Sequence, residues 1–91
     1  MSAFTPSTRS VNARLASAAS RAHADLAAAR DITVAAEARD GYVNCETLIL
    51  AHGRAFNAAS AAAHLPSGAA CMKMVEKAEA LLNGWGVPFT R

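Results

Sequence analysis

The sequence predicts an all-α fold: a small antiparallel bundle of three to four helices, forming a single domain over residues 1–91. Three observations carry that prediction. Twenty-four of the 91 residues are alanine, the strongest helix former. Residues 7–40 contain neither glycine nor proline, so nothing local interrupts a helix there. Breaker pairs then recur at Asp40-Gly41, Leu65-Pro66 and Asn83-Gly84, and no segment alternates apolar and polar residues as a half-buried strand does.

Residues 1–5 read as a flexible lead-in, and Thr5-Pro6 as a helix start with Thr at the N-cap and Pro at the first helical position. Val11, Leu15, Ala18, Ala22, Leu26 and Ala29 then advance in steps of three and four, which places them on one face. Arg14 and Arg21 fall on another face, and Arg21 and Asp25 are spaced as an i,i+4 pair. Asp31 could cap a separate helix, but the absence of a breaker favours one continuous helix with a bend there. Asp40-Gly41 ends it, since glycine takes the left-handed cap position cheaply. A second helix is expected to begin near Asn44, with Glu46 in its first turn, and to carry Leu48, Ile49, Phe56, Ala59 and Ala63. Gly53 inside it predicts the close approach of another helix. A last helix starts around Ser67, buries Cys71, Met74, Val75, Ala78, Leu81, Leu82 and Trp85, and stops at Asn83-Gly84. Lys73, Glu76 and Lys77 lie on its wet side. Residues 85–91 form an irregular tail.

Alanine supplies half of the 53% hydrophobic content, leaving 22 larger apolar side chains. Full burial of each contributes roughly 1.5–3 kcal/mol, a few tens of kcal/mol in all. Ordering a chain of this length costs on the order of 100 kcal/mol. So thin a core makes association with a partner, or with a second copy, a natural source of further burial.

The formal charge is +2, but residues 1–30 hold four arginines against Asp25 alone. Cys45 and Cys71 make no disulfide framework and read as buried free thiols in a reducing cytoplasm. No apolar run is long enough for a transmembrane helix, and no membrane partner is expected. The first 24 residues lack acids and are rich in Arg, Ser and Ala. That is also the composition of an organellar transit peptide, but a chain read from Met1 is expected to keep this segment as its first helix.

Chemistry-bearing residues are sparse. Cys45, His52, His64 and Cys71 have a symmetric Cys-x6-His and His-x6-Cys spacing. Residues seven apart on a helix are about 10 Å apart along its axis, whereas zinc ligands converge to about 2.0–2.3 Å from one ion. No metal site and no cofactor are expected. Cysteine–histidine catalysis needs a thiolate, a base and an orienting group, and the sequence offers these atoms but no strained loop or glycine-rich oxyanion turn. There is no phosphate loop or dinucleotide fingerprint. A helix-turn-helix over Leu48–Leu65 lacks both turn chemistry and base-reading side chains. The chain is therefore read as not an enzyme.

What remains are candidates for binding: Arg9, Arg14 and Arg21 on the first helix, and Trp85 and Phe89 in the tail. Trp and Arg are favoured interface anchors, although a tail folded back over the end of the bundle would also account for the two aromatics. The primary expectation is a non-enzymatic helical protein that binds another protein. Small alanine-rich chains without catalytic residues are common among phage and mobile-element accessory proteins, including inhibitors of host defence complexes such as anti-CRISPR proteins. No motif ties this chain to such a family, and the expectation rests on size and absent chemistry. The slight positive charge argues against a DNA mimic, which should carry a strong negative field. The alternatives are a weakly basic nucleic-acid-associated regulator that uses the first helix, with weak, salt-sensitive binding, and a structural homo-oligomer such as a dimer, packed through alanine faces around Gly53 and Ala59.

Overall fold

A run of helix formers without a breaker winds into one uninterrupted helix. In the computed structural model, which describes residues 8–91, α1 spans Thr8–Asp40. At 1.5 Å per residue it is about 50 Å long. It passes straight through Asp31, so the described residues form three helices. The Thr5-Pro6 start expected from the sequence lies outside the described residues. Gly41 ends α1 with φ +76°, its N–H donating to the Glu37 carbonyl at 2.8 Å.

The second helix, α2, spans Glu46–Ala61. It begins two residues later than Asn44, because Asn44 acts from outside: its Oδ1 accepts the Glu46 N–H at 3.2 Å. Ala63 falls in the turn rather than in the helix. The third, α3, spans Pro66–Gly84, with proline filling the first helical position, where no N–H is needed. Among the described residues there is no strand, and no helix is long and apolar enough to cross a membrane.

Each helix packs against both others. The core consists of Ala19, Leu26 and Ala29 from α1, Leu48, Ala55 and Ala59 from α2, and Cys71, Val75, Ala78 and Leu82 from α3, with Cys45 and Ala62 closing the ends. Half of these twelve are alanine, which lets the helix axes come together at the short end of the usual spacing. The buried stripe of α1 is turned slightly from the expected one. Ala19 and Thr33 are inside, Val11 and Ala18 are exposed, and Thr33 satisfies its hydroxyl by donating to the Ala29 carbonyl at 2.7 Å. At one end of the bundle, His64 and Asn12 hydrogen-bond at 2.9 Å. At the other, Glu46 and Thr47 share a depression with Ile32, Thr33 and Ala36.

Gly53 is not a point of close approach: a Cβ there would meet nothing within 4 Å. Gly68 is. A Cβ on Gly68 would collide with the carbonyl group of Ala62 and lie 2.9 Å from the Ala62 Cβ. Replacing Gly53 with alanine is accordingly expected to stabilise the protein by about 1 kcal/mol, raising the melting temperature by roughly 4–8 °C. A circular-dichroism melt measures this, and a fall in melting temperature would contradict the open surroundings of Gly53.

Candidate functional site

The site begins with the way α3 ends. Gly84 is still helical, and the left-handed residue is Gly86, at φ +72°. The Gly86 N–H donates to the Asn83 carbonyl at 3.0 Å and the Val87 N–H to the Leu82 carbonyl at 2.9 Å. This is the Schellman pattern, with Val87 as its apolar follower packed on the core. The helix thus ends at Gly84, where the sequence places its stop, but the left-handed glycine that closes it is Gly86, two residues later. The turn sends residues 87–91 back over α2. Val87 lines a depression with Ile49, the Phe89 ring meets the His52 ring edge-on at 5.1 Å, and the Arg91 guanidinium lies 5.3 Å from the centre of the Phe56 ring. Alternate residues of an extended tail thus match positions 49, 52 and 56 of a helix face. Trp85 and Phe89 are both half-buried against the core.

Beneath the tail lies a polar cluster in an otherwise apolar interior. His52 is completely buried, and its Nε2 lies 2.8 Å from Glu79 Oε2. Arg91 grips the same carboxylate through two bonds, Nε to Oε2 and Nη2 to Oε1, each 2.8 Å. The two-pronged guanidinium bond is the main cause that brings the Glu79 carboxyl down to about 2, against burial, which acts to raise it. The His52 hydrogen bond and the charge of Arg91 add to the lowering. Nε2–H of His52 then donates to a carboxylate, and among the described residues the buried Nδ1 has no hydrogen-bond partner. A carboxylate orienting a histidine is the geometry of a general base. Here the ring is sealed from solvent, and the arrangement clamps the tail to α2 and α3.

The four residues of the symmetric cysteine–histidine spacing disperse. His52 faces Glu79, His64 faces Asn12 and Cys71 donates to the Ala55 carbonyl at 3.4 Å. Burial pushes both the Cys45 and Cys71 thiols up. Among the described residues, no three His, Cys, Asp or Glu side chains converge as metal ligands would.

Two surfaces remain. Arg14 and Arg21 line one shallow depression with Ser17, and Arg21 also lines the next, with Asp25 and Arg54 of α2. Arg9 lies outside both. Arg21 and Asp25, although spaced for it, form no ion pair among the described residues. The pairs that do form are Arg30–Asp31, Arg39–Asp40, His52–Glu79 and Arg91–Glu79. Toward the end of the bundle where α1 connects to α2, Ile32 of α1, Tyr42 of the connection and Leu50 of α2 are 70%, 68% and 56% exposed. Beside them opens an apolar depression of about 440 Å³, lined by Val43, Cys45, Glu46, Ile49, Leu50 and Val87.

Sequence reasoning missed Glu79, Arg91, Arg54 and this apolar end. Glu79 was the legible one: it lies four residues after Val75 and three before Leu82, on the stripe that α3 buries. Arg91, Arg54 and the apolar end depend on which helix faces meet.

Compared with known proteins, the chain matches no family model, and no curated protein or solved structure is significantly similar to it.

Proposed function

We propose that this chain is a non-enzymatic cytoplasmic protein, its three helices alternating in direction, that acts by binding another protein at the end where α1 meets α2. One observation carries the reading: Leu50, 56% exposed, lines an apolar depression with Val43, Ile49 and Val87, while the exposed Ile32 lines a neighbouring depression that shares Glu46, and Tyr42 stands in solvent next to Val43 in the chain. Scattered apolar residues on a surface are ordinary, but a clustered set beside a concavity marks an interaction site. A depression of this volume takes one or two large apolar side chains. Glu46 lies between it and the neighbouring depression on α1. The partner that fits is therefore a protein element with an exposed apolar anchor flanked by a basic residue. The sealed His52 ring also favours binding over catalysis, because no substrate reaches it. Trp85 and Phe89 serve this end indirectly, by fixing the tail whose Val87 forms one wall of the depression.

Among binders, an inhibitor of a host defence complex, carried by a phage or mobile element, suits the size and composition. The test is affinity capture from the source cell with the natural chain and with Leu50→Glu, after melts establish that both fold. A specific protein captured by the natural chain should fall at least about tenfold with Leu50→Glu, the loss of a hot-spot contact. Equal capture by both would refute the site. A dimer in light scattering that dissociates with Leu50→Glu would instead put a second copy on this end.

A further inference from the structure

We infer that the α1–α2 flank is a second binding surface, one that takes the phosphate backbone of a nucleic-acid duplex without reading its sequence. Three arginines from two helices define it. Arg14 and Arg21 are seven residues apart on α1, about 10.5 Å along the axis and nearly in line. The depression that holds them continues past Arg21 onto α2, where Arg54 joins. All three are exposed. Among the described residues none of them has a carboxylate partner, whereas Arg30, Arg39 and Arg91 each do. Exposed guanidinium groups without internal partners keep their charge and their paired donors available for phosphate oxygens.

The spaces between the arginines matter as much. Ala13, Ala18, Ala22 and Ala51 line the same two depressions. With no long side chain to hold a ligand off, a stiff rod can lie along the face. These two depressions hold no apolar anchor for a protein hot spot and no Asn or Gln to read adenine edges, and their arginines lie along a flat face rather than on an element that enters a groove. A duplex presents a negative charge every 1.7 Å or so along its axis, so three cations find phosphates in almost any register. Asp25 is the one carboxylate lining these two depressions, and it opposes binding. This surface is separate from the apolar end, and its failure would leave the proposed protein partner standing.

The test is fluorescence anisotropy of a labelled mixed-sequence duplex against the full chain, between about 50 and about 200 mM salt. With three phosphate contacts, the logarithm of affinity should fall against the logarithm of salt with a slope of about −2.7, and Arg21→Ala or Arg54→Ala should each reduce it to about −1.8. Asp25→Asn should tighten binding severalfold, and Arg39→Ala, whose guanidinium is already held by Asp40, should leave the slope unchanged. The proposal is overturned if no binding is seen at the lowest salt, or if Arg54→Ala keeps the full slope. Poly-glutamate that displaces the label as well as unlabelled duplex, charge for charge, would also overturn it and assign the face to an acidic protein.

Discussion

Replacing Gly68 with alanine is expected to destabilise the protein by about 3 kcal/mol, a fall of roughly 12–24 °C in melting temperature. The added Cβ points into the Ala62 carbonyl group. That carbonyl already accepts the Leu65 N–H at 2.9 Å, the bond that shapes the turn from α2 to α3. The clash is with backbone rather than with the end of a flexible side chain, so relief requires the first turn of α3 to move away from α2. Such a shift would loosen the packing of Ala62 and Cys71, which are completely buried. The comparison with Gly53→Ala is internal: the same chemical change, in a helix of the same bundle, should have the opposite sign. A melt in which both variants behave alike would mean that the close approach at Gly68 does not hold in solution.

Removing the Glu79 carboxylate should destabilise by about 2–3 kcal/mol, since it strips a fully buried histidine of its partner. The figure sits below the usual range for a broken buried pair because half of the Arg91 side chain is in water. The pH dependence gives a second readout. A carboxyl held at about 2 in the folded protein and at its ordinary value near 4.5 when unfolded binds more protons in the unfolded state. Its contribution is therefore complete above about pH 5 and is lost as pH falls through the interval from about 4.5 to about 2. Denaturation midpoints of the natural chain should drop across that interval, and those of Glu79→Gln should drop less. Parallel profiles for the two would show that the tail clamp adds nothing to stability. Because the clamp also places Val87 beside the apolar depression, Glu79→Gln should weaken any partner held there.

The three helices were legible because their signals are local. Residues 7–40 contain no breaker, Gly41 is a cheap left-handed cap, and Pro66 fits a first helical turn. The errors lie where local signals tie. The α1 stripe could sit a fraction of a turn either way, because Ala18 and Ala19 are equally good helix formers and only the packing of α2 and α3 decides which is buried. Gly53 and Gly68 look alike in the sequence. Whether a glycine marks a close approach depends on what faces it, and the short turn at Ala62 faces Gly68.

The candidate residues divide in the same way. Arg14 and Arg21 share a face by helical spacing alone, while Arg54 joins them from 33 positions further along because α2 lies against α1. The tail aromatics stood out by composition. Their clamp did not, because a bond between Glu79 and Arg91 requires a left-handed turn at Gly86 and a path back over α2.

The sequence by itself determined that this protein is helical and that its helices break near Gly41, Pro66 and Gly84, because helix propensity, caps and breakers act over a few residues. Tertiary structure alone decided that a buried carboxylate would hold the tail, that α2 would complete the basic face, and that Ile32, Tyr42 and Leu50 would be left in solvent at one end. Those outcomes depend on the relative placement of surfaces distant along the chain. In a core made half of alanine, many helix rotations look equally acceptable until the few large side chains and the buried Glu79 carboxylate with its partners select among them.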